Sequence, residues 1–180
     1  MRTAALPSLP KITAAWAIAI VALMLSRFAW ADDPACKAVY DSMERLAGTP
    51  NHQWLSQSKS GSHDKPTTTE NITVGNFRYL QMSGEWKRMP YSSAKSITEQ
   101  ADQRKDRSST CRAERDESVD GVSANLVAVH TTAEDSASDQ QVWISKSTGL
   151  PVRQLIDING TTHIEVRYSY ANVAAPSGAK

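Results

Sequence analysis

The chain has 180 residues, 20 Lys and Arg against 19 Asp and Glu, two cysteines and 40% hydrophobic residues. Near-neutral charge without a dense basic cluster excludes the usual nucleic-acid binder, which concentrates Lys and Arg on one surface. The length fits one domain behind a leader.

Arg2 and Lys11 supply a basic start, and the apolar run from Ile12 to Leu25 is too short for a membrane span of about 20 residues. Ala29-Trp30-Ala31 then forms a small-x-small cleavage pattern, so residues 1–31 are read as a signal peptide cleaved after Ala31. Arg27 behind the apolar run is the one feature in favour of an uncleaved anchor. No lipobox of small residues precedes Cys36. Export to a periplasm is therefore expected. Without the three basic residues of the leader, 17 Lys and Arg face 19 Asp and Glu.

Asp33-Pro34 is a helix start, with an N-cap carboxylate and a proline at the first helical position. Cys36, Val39, Tyr40, Met43 and Leu46 recur at three- and four-residue spacing before Gly48, which predicts a helix over 34–47 with one apolar stripe. Strands are expected near 52–58, 67–74 and 77–82, with a polar loop at 60–66 and a turn at Gly75-Asn76. Met89-Pro90-Tyr91 ends that hairpin region, and 93–107 reads as an exposed helix with Ala94, Ile97 and Ala101 at helical spacing. Two strands, 110–119 and 124–131, flank Asp120-Gly121, and 133–139 reads as a polar connection. The last third alternates: strands at 141–146, 150–158 and 161–170 form a meander through Ser147-Thr148-Gly149 and Asn159-Gly160. Ile164, Val166, Tyr168 and Tyr170 fall on one face, His163, Glu165, Arg167 and Ser169 on the other; Val152, Ile156 and Ile158 share a face. The tail 174–180 is expected to be disordered. About seven antiparallel strands with helices on one side make an α+β arrangement, in one domain over 32–173.

Cys36 and Cys111 are the only cysteines, and an isolated pair in an oxidising compartment is expected to join as a disulfide.

The amphipathic helix, the hairpin ending "GEWKRMP", "VDGVSA" and the run "VWISKSTGLPVRQLIDING…RYSYANV" together resemble the lipoprotein-carrier (LolA-like) superfamily of periplasmic proteins. The resemblance covers most of 34–173. It implies a curved antiparallel sheet, an open half-barrel whose concave apolar face is covered by helices. That superfamily includes lipoprotein carriers, lipid-binding lipoproteins and sensor domains, so the resemblance is specific for fold and weak for function. No functional residue of the carriers matches position by position, and the disulfide departs from what the carriers lead one to expect.

No catalytic pattern emerges. His52, His63, His130 and His163 lack a second His or Cys at ligand spacing, so no metal is expected. Ser56 to Lys59 and Ser92 to Lys95 satisfy Ser-x-x-Lys without the companion elements that chemistry needs. Glu114, Asp116, Glu117 and Asp120 form an acidic run, with Glu114 and Asp116 on one face if alternation holds; a solvated strand edge is the simpler reading. No cofactor and no enzymatic activity are expected. The aromatic set Trp54, Phe77, Tyr79, Trp86, Trp143, Tyr168 and Tyr170 is either core or an apolar face for a ligand. Trp54, Phe77, Tyr79, Trp143, Ile156, Val166 and Tyr168 are the groove candidates. A monomer is expected, carrying an acyl chain or lipoprotein anchor between sheet and helices; the alternative is an envelope interaction or sensor domain with a packed core.

Overall fold

Asp33 accepts a hydrogen bond from the Ala35 amide at 2.8 Å and Pro34 sits in the first turn, so helix α1 (Pro34–Gly48) begins where its cap and proline place it. This computed structural model describes residues 33–179, and the expected leader and its cleavage site lie outside the described residues. Asn51 closes α1 onto the sheet: its side-chain amide donates to the carbonyls of Thr49 at 2.7 Å and Leu46 at 3.3 Å.

Nine strands follow: β1 (Asn51–Lys59), β2 (Thr67–Val74), β3 (Phe77–Met82), β4 (Glu85–Pro90), β5 (Ser108–Val119), β6 (Val122–Ala133), β7 (Ser136–Ser145), β8 (Pro151–Ile158) and β9 (Thr162–Ser169). They form one antiparallel sheet in the order β4-β3-β2-β1-β9-β8-β7-β6-β5. All pairings join chain neighbours except β1 with β9, which brings the first strand beside the last. The edges β4 and β5 are not paired with each other, so the sheet stays open. The fold is α+β, as expected.

Three expectations are corrected. The sheet has nine strands rather than about seven, and Glu85–Pro90, read only as part of the hairpin region, pairs fully with β3. The supposed polar connection at 133–139 is mostly strand: β6 runs to Ala133 and β7 begins at Ser136. Its polar side chains misled because this end of the hairpin lies away from α1, where pairing of the backbone needs no apolar face. A bulge between Trp143 and Ile144 also leaves Val152 as the extra residue on β8, and it packs with Trp143 instead of sharing a face with Ile156.

Face assignment follows from register, since directly paired residues point the same way. Val127, Val142, Gln154, Val166 and Leu55 are consecutive partners across β6, β7, β8, β9 and β1. They face α1, whose Val39 packs on Val127, Val129, Val142 and Ile144, with Ala35, Met43 and Cys111 alongside. Each such valine or isoleucine contributes roughly 1.5–3 kcal/mol when fully buried. A second cluster of Ala124, Leu126 and Trp143 lies on the opposite face, flanked by Val119, Val152 and Leu155.

Helix α2 (Ser93–Lys105) starts at Ser92, which accepts from the Lys95 amide, and it buries no residue. It stands on α1 through Arg104, which bonds Glu44 at 3.3 Å and covers the Tyr40 ring at 4.6 Å. Cys36 and Cys111 are bonded, with Cα atoms 5.1 Å apart, within the ordinary range. Among the described residues past Tyr170 there is no helix or strand, and Ser177 and Gly178 border a cleft beside Glu85, Trp86, Lys87 and Arg88 of β4. Among the described residues no helix is long and apolar enough to cross a membrane.

Candidate functional site

A cavity of about 900 Å³ forms a trough across six strands on the face turned away from α1. Two cross-strand rows floor it. One row reads Ser56, Glu165, Leu155, Gln141, Ala128 and Arg112 from β1 to β5. The next reads Ser58, His163, Asp157, Asp139, His130 and Thr110. Pro66, from the loop between β1 and β2, adds to one end.

The second row is nearly palindromic. Asp139 and Asp157 stand directly opposite each other on β7 and β8. Each is held from its outer side by an imidazole: His130 Nδ1 lies 2.7 Å from Asp139, and His163 Nδ1 lies 2.8 Å from Asp157. The second oxygen of Asp157, Oδ1, is out of solvent contact and has no hydrogen-bond partner. In the first row Glu165 accepts from both Arg153 and Arg167 at 2.9 Å, and Arg112 donates to Glu114 at 2.8 Å.

Ser58, His163 and Asp157 stand in the order hydroxyl, imidazole, carboxylate, but no hydrogen bond joins the Ser58 hydroxyl to the ring. A serine nucleophile needs that contact for its activation. The acidic run makes no paired-carboxylate cleft either, since Arg112 takes Glu114 and Lys146 takes Asp116. No group of three or more His, Cys, Asp or Glu among the described residues is arranged to hold a metal ion.

The seven groove candidates are divided between the two faces. Ile156, Val166 and Tyr168 face α1, where the Tyr168 hydroxyl donates to Gln154 at 3.0 Å and burial pushes its pKa up. Trp54, Phe77, Tyr79 and Trp143 lie on the trough's face but outside the trough. Trp54 is 36% exposed and stacks on His52 at 3.9 Å; Phe77 is 37% exposed under Arg88; Tyr79 and Trp143 are buried. Of the seven only Ile156 borders the cavity, with its side chain on the other face. The residues that reasoning from sequence missed are His130, Asp139, Asp157 and Leu155. Their signal was register, not residue type.

Trp143 also anchors the end of this face. Its indole N–H donates to Glu117 at 2.5 Å; that bond, with the one from Arg115 at 2.6 Å, holds the Glu117 carboxyl below its ordinary value. A depressed folded pKa gives stability that is present above the unfolded value and lost as pH falls through the folded one. Acid titration of Trp143 fluorescence should therefore show a transition below the usual carboxylate range, absent in Glu117→Gln. An unchanged acid limb in that variant would remove Glu117 from the account.

No protein-family model matches the chain, and no curated protein matches it. Solved structures do. LprF from Mycobacterium bovis has 9% identity and a TM-score of 0.45, covering 82% of this chain and 99% of that one. The MucA/MucB complex of Pseudomonas aeruginosa has 17% identity and a TM-score of 0.45, covering 79% of this chain and 59% of the matched one. A LolA superfamily protein from Nitrosomonas europaea has 9% identity and a TM-score of 0.24, covering 74% and 90%. These likenesses concern the fold alone.

Proposed function

We propose that this chain is an exported, non-catalytic binding protein that holds an extended segment of an envelope protein in the trough. The carrying observation is the placement of space: the interface between α1 and the sheet is filled by valines and isoleucine, while the open volume lies over a floor that sets Asp139, Asp157, His130, His163 and Glu165 beside Ala128 and Leu155. About 900 Å³ falls within the usual range for ligand sites of roughly 300–1,000 Å³. Six strands at about 4.8 Å spacing span about 24 Å, the length of about seven extended residues. An acyl chain would find apolar contact at Ala128, Leu155 and Pro66 but would strip water from Asp139 and Asp157. Desolvation without new hydrogen bonds costs several kcal/mol for charged groups, at least about as much as for amides. A peptide can return hydrogen bonds to the same groups.

The test compares two ligand classes on protein purified from a Gram-negative periplasm. Native mass spectrometry should find no lipid, a fluorescent fatty acid should not be taken up, and a library of labelled heptapeptides should contain binders. Ala128→Trp, placed on the trough floor, should abolish peptide binding while leaving circular dichroism unchanged. Co-purifying lipid, or fatty-acid uptake indifferent to Ala128→Trp, would restore the acyl-carrier reading on the face of α1.

A further inference from the structure

We infer that the β3–β4 hairpin docks on anionic bilayers, its apolar side chains in the headgroup layer and its basic ones on lipid phosphates; this does not rest on the trough. Among the described residues the large apolar side chains most open to solvent are Trp54, Phe77, Met82, Met89 and Val122, and three of them lie on this hairpin. Met82 is 52% exposed, Met89 40% and Phe77 37%. Register divides them between the two faces of the sheet. Phe77, with Trp86 and Arg88, lies on the face of the trough; Met82 and Met89, with Lys87, lie on the face that carries α1 further along. Clustered exposed apolar groups mark contacts with proteins or membranes. A folded partner covers one face or the edge and leaves the other in water, whereas a bilayer surface surrounds both faces of a hairpin at once. Strand addition at the edge is opposed by Lys87, Arg88 and Pro90, residue types that guard sheet edges. Charge favours the same occupant. The hairpin holds Arg78, Lys87 and Arg88 against Glu85 alone, in a chain with 17 basic and 19 acidic residues behind its expected leader. Arg78 and Arg88 lie over the rings of Tyr91 and Phe77, at 4.5 and 4.9 Å. None of the three basic groups is in an ion pair among the described residues. Phosphates of an anionic leaflet supply the missing partners. Trp86 is half-buried and borders the cleft of about 540 Å³ beside Ser177 and Gly178, and an indole suits the layer where apolar and wet surroundings meet.

The test sediments protein purified from a Gram-negative periplasm with vesicles of phosphatidylcholine alone or mixed equally with phosphatidylglycerol. The protein should bind the mixed vesicles and not the neutral ones, and salt at about 0.5 M should largely release it. Lys87→Gln combined with Arg88→Gln should weaken binding roughly 25-fold, since each basic residue near an anionic surface contributes about fivefold. Met82→Ser combined with Met89→Ser should weaken it with the charges intact. All four positions are exposed, so circular dichroism should be unchanged in both double variants. Brominated acyl chains should quench the fluorescence of Trp86; Trp86→Phe should abolish that quenching and Trp143→Phe should keep it. Equal binding to both vesicles, no binding to either, or binding indifferent to both double variants would overturn the inference. Vesicle binding lost in Ala128→Trp would place the lipid in the trough and overturn it as well.

Discussion

Removing the Cys36–Cys111 bond, by reduction or by Cys36→Ser with Cys111→Ser, is expected to lower the unfolding free energy by about 4 kcal/mol. The bridge closes a loop of sequence separation 75, and its chief effect in the chain-entropy account is to restrict the unfolded ensemble. Net stabilities run to about 5–15 kcal/mol, so the loss takes a large share. It also releases α1 from β5, leaving Val39, Ala35 and Met43 as the helix's remaining apolar attachment to the sheet. Urea titration of oxidised and reduced protein checks this. The midpoint should fall clearly on reduction, and coincident curves would show that the bridge contributes nothing to stability.

Leu126→Ala is the second large effect, expected to cost about 2–5 kcal/mol through lost burial and the cavity it leaves. Leu126 is 1% exposed and touches Ala124 and Trp143 in the smaller cluster, which lies on the face without a helix. Sheet backbone fixes its neighbours on either side, so the site has little room to collapse. Urea titration followed by circular dichroism reports the change. A variant as stable as the parent would mean that this cluster packs loosely and that the fold depends on the α1 face alone.

Much of the fold was legible because it depends on local chemistry. The cap and stripe of α1, the alternation of β9 and the two positive-φ turn residues Asn159 and Gly160, at 52° and 64°, were all readable. The trough was not, and the reason is one residue of register. A two-residue loop at Asn159-Gly160 would set Ile158 opposite Thr161 and His163 opposite Ile156. The structure instead pairs Ile158 with Thr162, so Ile156 meets Ile164 and Asp157 meets His163. A one-residue slip changes which side chains meet and on which face. The opposition of Asp139 and Asp157 joins β7 to β8, and bulges of the kind found there have no fixed sequence signal. The aromatic residues drew attention by size, yet two of them are buried as ordinary core.

The adjacency of β1 and β9 has a consequence for how the chain reaches this form. Loop closure over such a separation costs entropy before the contact repays it, so long-range pairing slows folding. Until residues 162–169 are available, β1 has a partner only on its β2 side and β8 only on its β7 side. A chain delivered N-terminus first thus carries two open strand edges, besides β4 and β5, until β9 arrives, and such edges are templates for pairing with other chains. The two edges are sealed by one segment, β9, which also contributes His163 and Glu165 to the trough. Molecules truncated before Thr162 therefore lack the β9 wall of the trough and keep the β1 and β8 edges open to pairing with other chains.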